Sequence, residues 1–306
     1  MTVSEAPADT LFGWPAAHTG PERMHGLLCV LGAPTDHGSA LARGAASGPG
    51  AIRAASAGLM TPGHYGRDAG DIVSAPGVDL AVVLQRLAGM VEEVLELGMC
   101  PLVIGGDHSI TYAPVSVLQQ REEICLVWFD AHTDFSPWAG GEAHSHKQVL
   151  RRISSLAGVR KILQIGYRGL TTEDERRLGP DITVVTSAAT RELDEDALLA
   201  LVPAGMRCYL SIDIDIIDPA YAPGTGAPVP DGLTPEELER VLRILVRHRR
   251  VAGLDLVEVN PRLDPSGHTA SVAARLLGDI AAEWERQIDF TSPSPVDMAS
   301  CTENPA

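Results

Sequence analysis

Four short apolar runs, each closing on acidic or imidazole side chains, constrain this chain more than any other feature. Leu102-Val103-Ile104 runs into Gly105-Gly106-Asp107-His108-Ser109, and Leu126-Val127-Trp128-Phe129 into Asp130-Ala131-His132-Thr133-Asp134. The run at 207–213 carries Asp213, followed by Asp215, and Leu254-Asp255-Leu256-Val257 leads to Glu258. Runs of this length and composition read as strands. Strands are expected at 26–32, 67–73, 101–104, 124–129, 161–166, 182–186, 207–213 and 251–257, the second being the weakest.

Amphipathic segments separate several of them. Leu80, Val83, Leu84, Leu87, Val91, Val94 and Leu95 recur at helical spacing, and Gly98 ends that helix. Thr234-Pro235-Glu236-Glu237 offers an N-cap, a first-turn proline and a capping-box glutamate. Leu238, Val241, Leu242 and Leu245 continue that helix on one face, and a last helix covers about 270–288. Alternating strands and helices predict an α/β fold with a mainly parallel sheet and helices on both faces. Ligands in such sheets bind beyond the carboxyl ends of the strands, which is where the polar clusters fall. Residues 1–20 and 290–306, rich in Pro, Ser, Thr and acidic residues, read as loosely ordered ends.

Charge and cysteine usage narrow the partners. A formal net charge of −16 argues against nucleic acid and anionic membranes. No apolar stretch is long enough to span a bilayer. Cys29, Cys100, Cys125, Cys208 and Cys301 form no CxxC pair, so reduced thiols and a cytoplasmic setting are expected. The N-terminal stretch lacks the basic and apolar regions of a secretory signal.

The clusters carry the chemistry. Residues two apart in an extended chain point to one side, so Asp130, His132 and Asp134 converge, as do Asp213 and Asp215. Paired buried carboxylates are costly without a cation or proton. With His108, two imidazoles and four carboxylates gather at strand ends. Nitrogen and oxygen donors without thiolates suit Mn²⁺, and Ni²⁺, Co²⁺ or Fe²⁺ also fit. Asp218, before Pro219, reads as a turn residue. Gly224-Thr225-Gly226-Ala227-Pro228 makes a tight loop near the site mouth.

The ordered motifs GGDHS, DAHTD and SIDIDIIDPAYAPGTGAP, with GAPTDHGSA at 32–40, SGPGAIR at 47–53 and GLDLVEVNP at 253–261, resemble those of the arginase–agmatinase (ureohydrolase) family. The resemblance covers about residues 28–280. It implies a three-layer α-β-α fold around an eight-stranded parallel sheet, with one catalytic domain at 21–289 and a homo-oligomer, trimer or hexamer. It also implies two Mn²⁺ ions held by His108, Asp130, His132, Asp134, Asp213 and Asp215. The implied reaction is hydrolysis of a small guanidino compound, such as agmatine or 4-guanidinobutanoate, to an amine and urea. Asp134 then doubles as a proton carrier, Glu258 pairs with the guanidinium, and His146 is the mobile proton shuttle, with His144 as its rival.

Departures from the family bear on the substrate. Lys147 replaces a usual small residue. The asparagine that serves the α-carboxylate of arginine is absent behind DAHTD, where this chain reads Phe135-Ser136-Pro137-Trp138. Ala46 stands where many agmatinase-like relatives carry arginine. Trp138 either stacks on the substrate chain or packs. The alternatives are an arginase, a hydrolase of a guanidino group on a larger metabolite, a deacetylase-type hydrolase with one zinc, and a metal-dependent scaffold without activity.

Overall fold

The computed structural model describes residues 10–17, 25–38, 42–59, 66–73, 78–136, 145–168 and 181–286. Eight strands form one sheet: β1 Leu28–Ala33, β2 Gly66–Asp71, β3 Cys100–Gly105, β4 Ile124–Phe129, β5 Val159–Tyr167, β6 Ile182–Thr186, β7 Arg207–Asp213 and β8 Val251–Val257. They lie in the order β2-β1-β3-β8-β7-β4-β5-β6, and every pairing is parallel. All eight expected strands are present, and 161–166 lengthens at both ends to Val159–Tyr167.

The weakest expectation, at 67–73, becomes the edge strand β2, Gly-Arg-Asp-Ala-Gly-Asp. Ion pairing rather than apolar burial holds it. Asp68, 1% exposed, takes both Nε and Nη2 of the buried Arg53, at 2.8 and 2.9 Å. The same carboxylate accepts the main-chain N–H of Leu11. Residues 10–17, inside the segment read as loose, therefore pack on the domain, with Leu11 and Trp14 buried. Residues 1–9, 18–20 and 290–306 lie outside the described residues.

Helices cover both faces. Helices α1 (Gly48–Ser56), α7 (Pro235–His248) and α8 (His268–Glu285) bury Ile52, Leu238, Val241, Leu245, Val272 and Leu277 in a core shared with Leu102, Val127 and Leu210. On the other face, α2 (Leu80–Glu96) packs on Cys29, Leu31 and Val103. There α3 (Tyr112–Arg121) and α4 (Val149–Ile153) pack around Leu126 and Trp128. Between β6 and β7 the chain forms α5 (Ser187–Glu192) and α6 (Glu195–Leu201). The capping box at Thr234 forms as expected, its hydroxyl accepting from Glu237 N and the Glu237 carboxylate accepting from Thr234 N. No helix among the described residues is long and apolar enough to cross a membrane.

The topology gathers the four motif-bearing strands. From β3 the chain skips to β4, leaving two places that β8 and β7 later fill. The carboxyl ends of β3, β8, β7 and β4 thus lie side by side, although their motifs span residues 105 to 258.

Candidate metal centre

His108 opens a 3-10 turn directly after β3. The glycines before it serve close approach rather than the sharp turn their sequence suggests, since neither has a positive φ. A Cβ on Gly106 would lie 1.7 Å from the Thr35 main-chain oxygen, which accepts from Asp107 N. Asp130 follows β4, and the chain then bends so that Asp134 returns toward it through φ 44. Contrary to expectation the 130–134 segment is not extended, and its groups meet through a bend. Asp213 ends β7, and its Oδ1 accepts the N–H of Asp215 at 2.8 Å, which fixes the next turn.

These side chains form two adjoining clusters. His108 Nδ1 lies 3.2 Å from Asp130 Oδ2, 3.3 Å from Asp134 Oδ2 and 3.1 Å from Asp213 Oδ2. His132 Nδ1 lies 2.9 Å from Asp215 Oδ2 and 3.4 Å from Asp130 Oδ1. Asp130 therefore presents one oxygen to each cluster. Donors bound at about 2.1 Å on adjacent sites of one cation sit roughly 3 Å apart, and these spacings match.

A test of fit comes from the protonation of His108. Ser211 Oγ donates to Asp255 Oδ1 at 2.8 Å, so it accepts from His108 Nε2 at 3.0 Å. Tyr209 donates to the other oxygen of Asp255. This chain puts the imidazole proton on Nε2 and leaves Nδ1, buried and without a hydrogen-bond partner, facing three carboxylates. A lone pair among three anions is the arrangement a cation satisfies.

Protonation strain points the same way. Burial alone would lower the His108 imidazole, yet Asp130, Asp134 and Asp213 hold it well above its usual range. Burial would likewise lower His132, but Asp130 and Asp215 push it up to about 12. Burial and neighbouring carboxylates raise Asp213, and they raise Asp215 to about 6. Burial would raise Asp130 too, but the two imidazoles hold it below the usual carboxylate range. The six groups repel and attract so strongly that the site demands positive charge, as protons or as metal.

A cavity of about 280 Å³ opens onto the cluster, lined by His132, Asp134, Ser136, His146, Lys147, Arg168, Asp213, Asp215, Thr225 and Glu258 among others. Glu258 enters it through φ 63, one of four positive-φ non-glycine residues among those described; Asp134 is another. Such backbone is costly for a residue with a side chain. Glu258 Oε1 accepts from His108 N at 2.9 Å and meets His146 Nδ1 at 3.1 Å, whereas Oε2 accepts no hydrogen bond from the described residues. His146 Nε2 is buried without a hydrogen-bond partner. Burial opposes protonation of His146, but Glu258, Asp134 and Asp107 raise its pKa. Its rival His144, and Trp138, lie outside the described residues. Ala46 is in the turn at 45–47 and is not among the residues lining the cavity. Asp218 is a turn residue as expected, accepting from Ala220 N and Gly232 N.

Three participants escape sequence reasoning. Trp128 stacks on His108 at 3.9 Å between ring centroids and 6° between planes, and its Nε1 donates to Asp130 Oδ2 at 2.9 Å. Its place two residues before Asp130 was the available signal. Arg168 gives its guanidinium to the carbonyls of Gly166, Asp215, Ile216 and Val229, tying down the turn that carries Asp215. Thr225 is 2% exposed, and its hydroxyl has no hydrogen-bond partner.

An all-parallel eight-stranded sheet with an acidic, imidazole-bearing cluster at the ends of its central strands defines an α/β protein with a candidate two-cation centre. Residues 27–282 match the arginase family, and the chain belongs to it, as a hydrolase acting on guanidino C–N bonds. It is 34% identical over 285 residues to the guanidinopropionase of Pseudomonas aeruginosa, covering 86% of this chain and 88% of that one. It is 30% identical over 270 residues to the agmatinase of Bacillus subtilis, covering 85% and 92%. The solved proclavaminate amidino hydrolase of Streptomyces clavuligerus superposes with a TM-score of 0.80 at 29% identity, over 92% of this chain and 98% of that one.

Proposed function

We propose that the protein is a binuclear, manganese-dependent amidinohydrolase that converts a small guanidino compound, agmatine, guanidinobutanoate or a near relative, to an amine and urea. The observation that carries this reading is Asp130, whose two oxygens face two different imidazoles, an arrangement that supports two neighbouring cation positions. His108, Asp134 and Asp213 would complete one position, and His132 and Asp215 the other, with Asp130 common to both. When bound, the cations supply the Lewis acidity that lets water act as a nucleophile at neutral pH.

The chain's own residues do the rest. Glu258 Oε2, free of other donors among the described residues, receives the guanidinium N–H groups and sets the carbon against the cluster. The Thr225 hydroxyl, lining the same cavity, offers a further polar contact there. Asp134, 13% exposed at the cavity wall, takes the proton lost by the attacking water. His146 carries a proton on its unpartnered Nε2 to the departing amine, and Glu258 at Nδ1 stabilises the charged ring.

Urea release from a panel of guanidino compounds, run with Mn²⁺ and Ni²⁺ separately, tests the reading. Turnover with about two metal ions per chain is expected, and Asp134→Asn should abolish it while the fold persists. A chain that holds two ions and cleaves no member of the panel would refute it. A trimer or hexamer, as the resemblance implies, is checked by sedimentation. A cytoplasmic setting fits the four unpaired, buried thiols among the described residues.

A further inference from the structure

The cavity is lined by groups of both signs. The carboxylates of Asp134, Asp213, Asp215 and Glu258 form part of its wall. Two permanent cations also line it, and they differ in what they are free to do. Arg168 is committed to main-chain carbonyls. Lys147 is exposed, and its ammonium makes no ion pair or hydrogen bond with any described residue.

Two stretches of wall carry groups of both kinds. One runs from Asp134 to Ser136, the other from His146 to Lys147. They are fastened side by side, Ser136 N donating to Lys147 O at 2.8 Å and Leu150 N to Asp134 O at 3.1 Å. Moving one or two residues along either stretch leads from the groups that hold the reacting centre to Lys147 and Ser136. The Ser136 hydroxyl has no partner among the described residues either. A substrate anchored by its guanidinium at Glu258 thus shares the cavity with an ammonium and a hydroxyl that have no partner among the described residues.

Resting on the amidinohydrolase reading above, we propose that Lys147 and Ser136 form a receptor for the carboxylate of an ω-guanidino acid, so that the preferred substrate is zwitterionic. The physical reason is complementarity. A dication such as agmatine sets its second positive charge against Lys147, whereas a carboxylate there gains a charge-assisted hydrogen bond in a site whose carboxylates repel an anion from the cluster itself.

The test compares 4-guanidinobutanoate, agmatine and neutral butylguanidine on the Mn²⁺-loaded protein and on Lys147→Ala, Lys147→Glu and Lys147→Arg. The wild type should favour the acid over agmatine by at least about tenfold in kcat/KM. Lys147→Ala should lower the ratio of acid to butylguanidine about tenfold, mainly through KM; Lys147→Glu should invert the order of acid and agmatine; Lys147→Arg should retain the preference. Agmatine preferred by the wild type, or ratios unmoved in both Lys147→Ala and Lys147→Glu, overturns the carboxylate receptor alone. No turnover of any of the three, with urea released from another compound of the panel, also overturns the receptor alone; no turnover across the whole panel overturns the amidinohydrolase reading with it.

Discussion

Trp128 shows how much one buried side chain contributes to this site. Its ring backs His108, and its N–H fixes the Asp130 oxygen that faces the same imidazole, so it sets the spacing between donors from two motifs. Groups that orient ligands in this way typically change metal affinity 10–100-fold. Trp128→Phe keeps a ring behind His108 and removes the donor. Its Mn²⁺ affinity, read by chelator competition, should fall at least about tenfold, and an unchanged affinity would refute the role. The protonation of the cluster makes a second expectation. Cations must displace the protons that burial and mutual repulsion keep on Asp215, near 6, and that Asp130 and Asp215 keep on His132. Competition from protons strengthens as the pH falls, so apparent affinity should fall steadily from about pH 8 to about pH 6, with protons released on binding. Calorimetry in buffers of different ionisation enthalpy measures both. The candidate donors themselves were legible in the sequence because carboxylates and imidazoles at strand ends have few other reasons to cluster. Trp128 was not, and Thr225 only as part of a loop near the site mouth, because an indole or a hydroxyl reads as packing until its partners are known.

At the scale of elements, sheet register decides what lies beneath the site. Trp128 pairs with Ser211, and Ser211 with Asp255, so the three occupy one row across β4, β7 and β8. His108 rests on that row through its stack with Trp128 and its hydrogen bond to Ser211. The alternation of each strand was readable from the sequence, but the row was not, since it depends on how separate strands align. The edge strand β2 illustrates the converse. Its polar sequence made it the weakest candidate, and it is held by the buried Arg53–Asp68 pair. Removing one partner of such a pair costs about 3–5 kcal/mol. Arg53→Met should therefore lower unfolding stability by about that amount in a denaturant titration, and it should loosen residues 10–17, whose Leu11 N–H shares the same carboxylate. A loss under about 1 kcal/mol would mean that the pair contributes little beyond packing.

Across the whole molecule, the two packed faces make the sheet a rigid floor for the site. The four described thiols lie within them, and burial raises Cys29 and Cys208 to about 12 and Cys125 to about 11. Thiolate is the reactive form. In a Cys301→Ser variant, thiol reagents at about pH 8 should react only as fast as the protein globally unfolds, and rapid labelling of the native state would contradict this burial. What the sequence by itself determined is the set of strands, the helices that separate them and the identity of the charged groups at their ends. Those follow from local periodicity and from the cost of burying unpaired carboxylates. The tertiary structure alone decided which strands are neighbours and how Asp130 divides its oxygens between two imidazoles. It also decided that Lys147 lines the same cavity as the acidic cluster without a partner among the described residues. These are relations between segments far apart in the chain, and no local property of either segment encodes them.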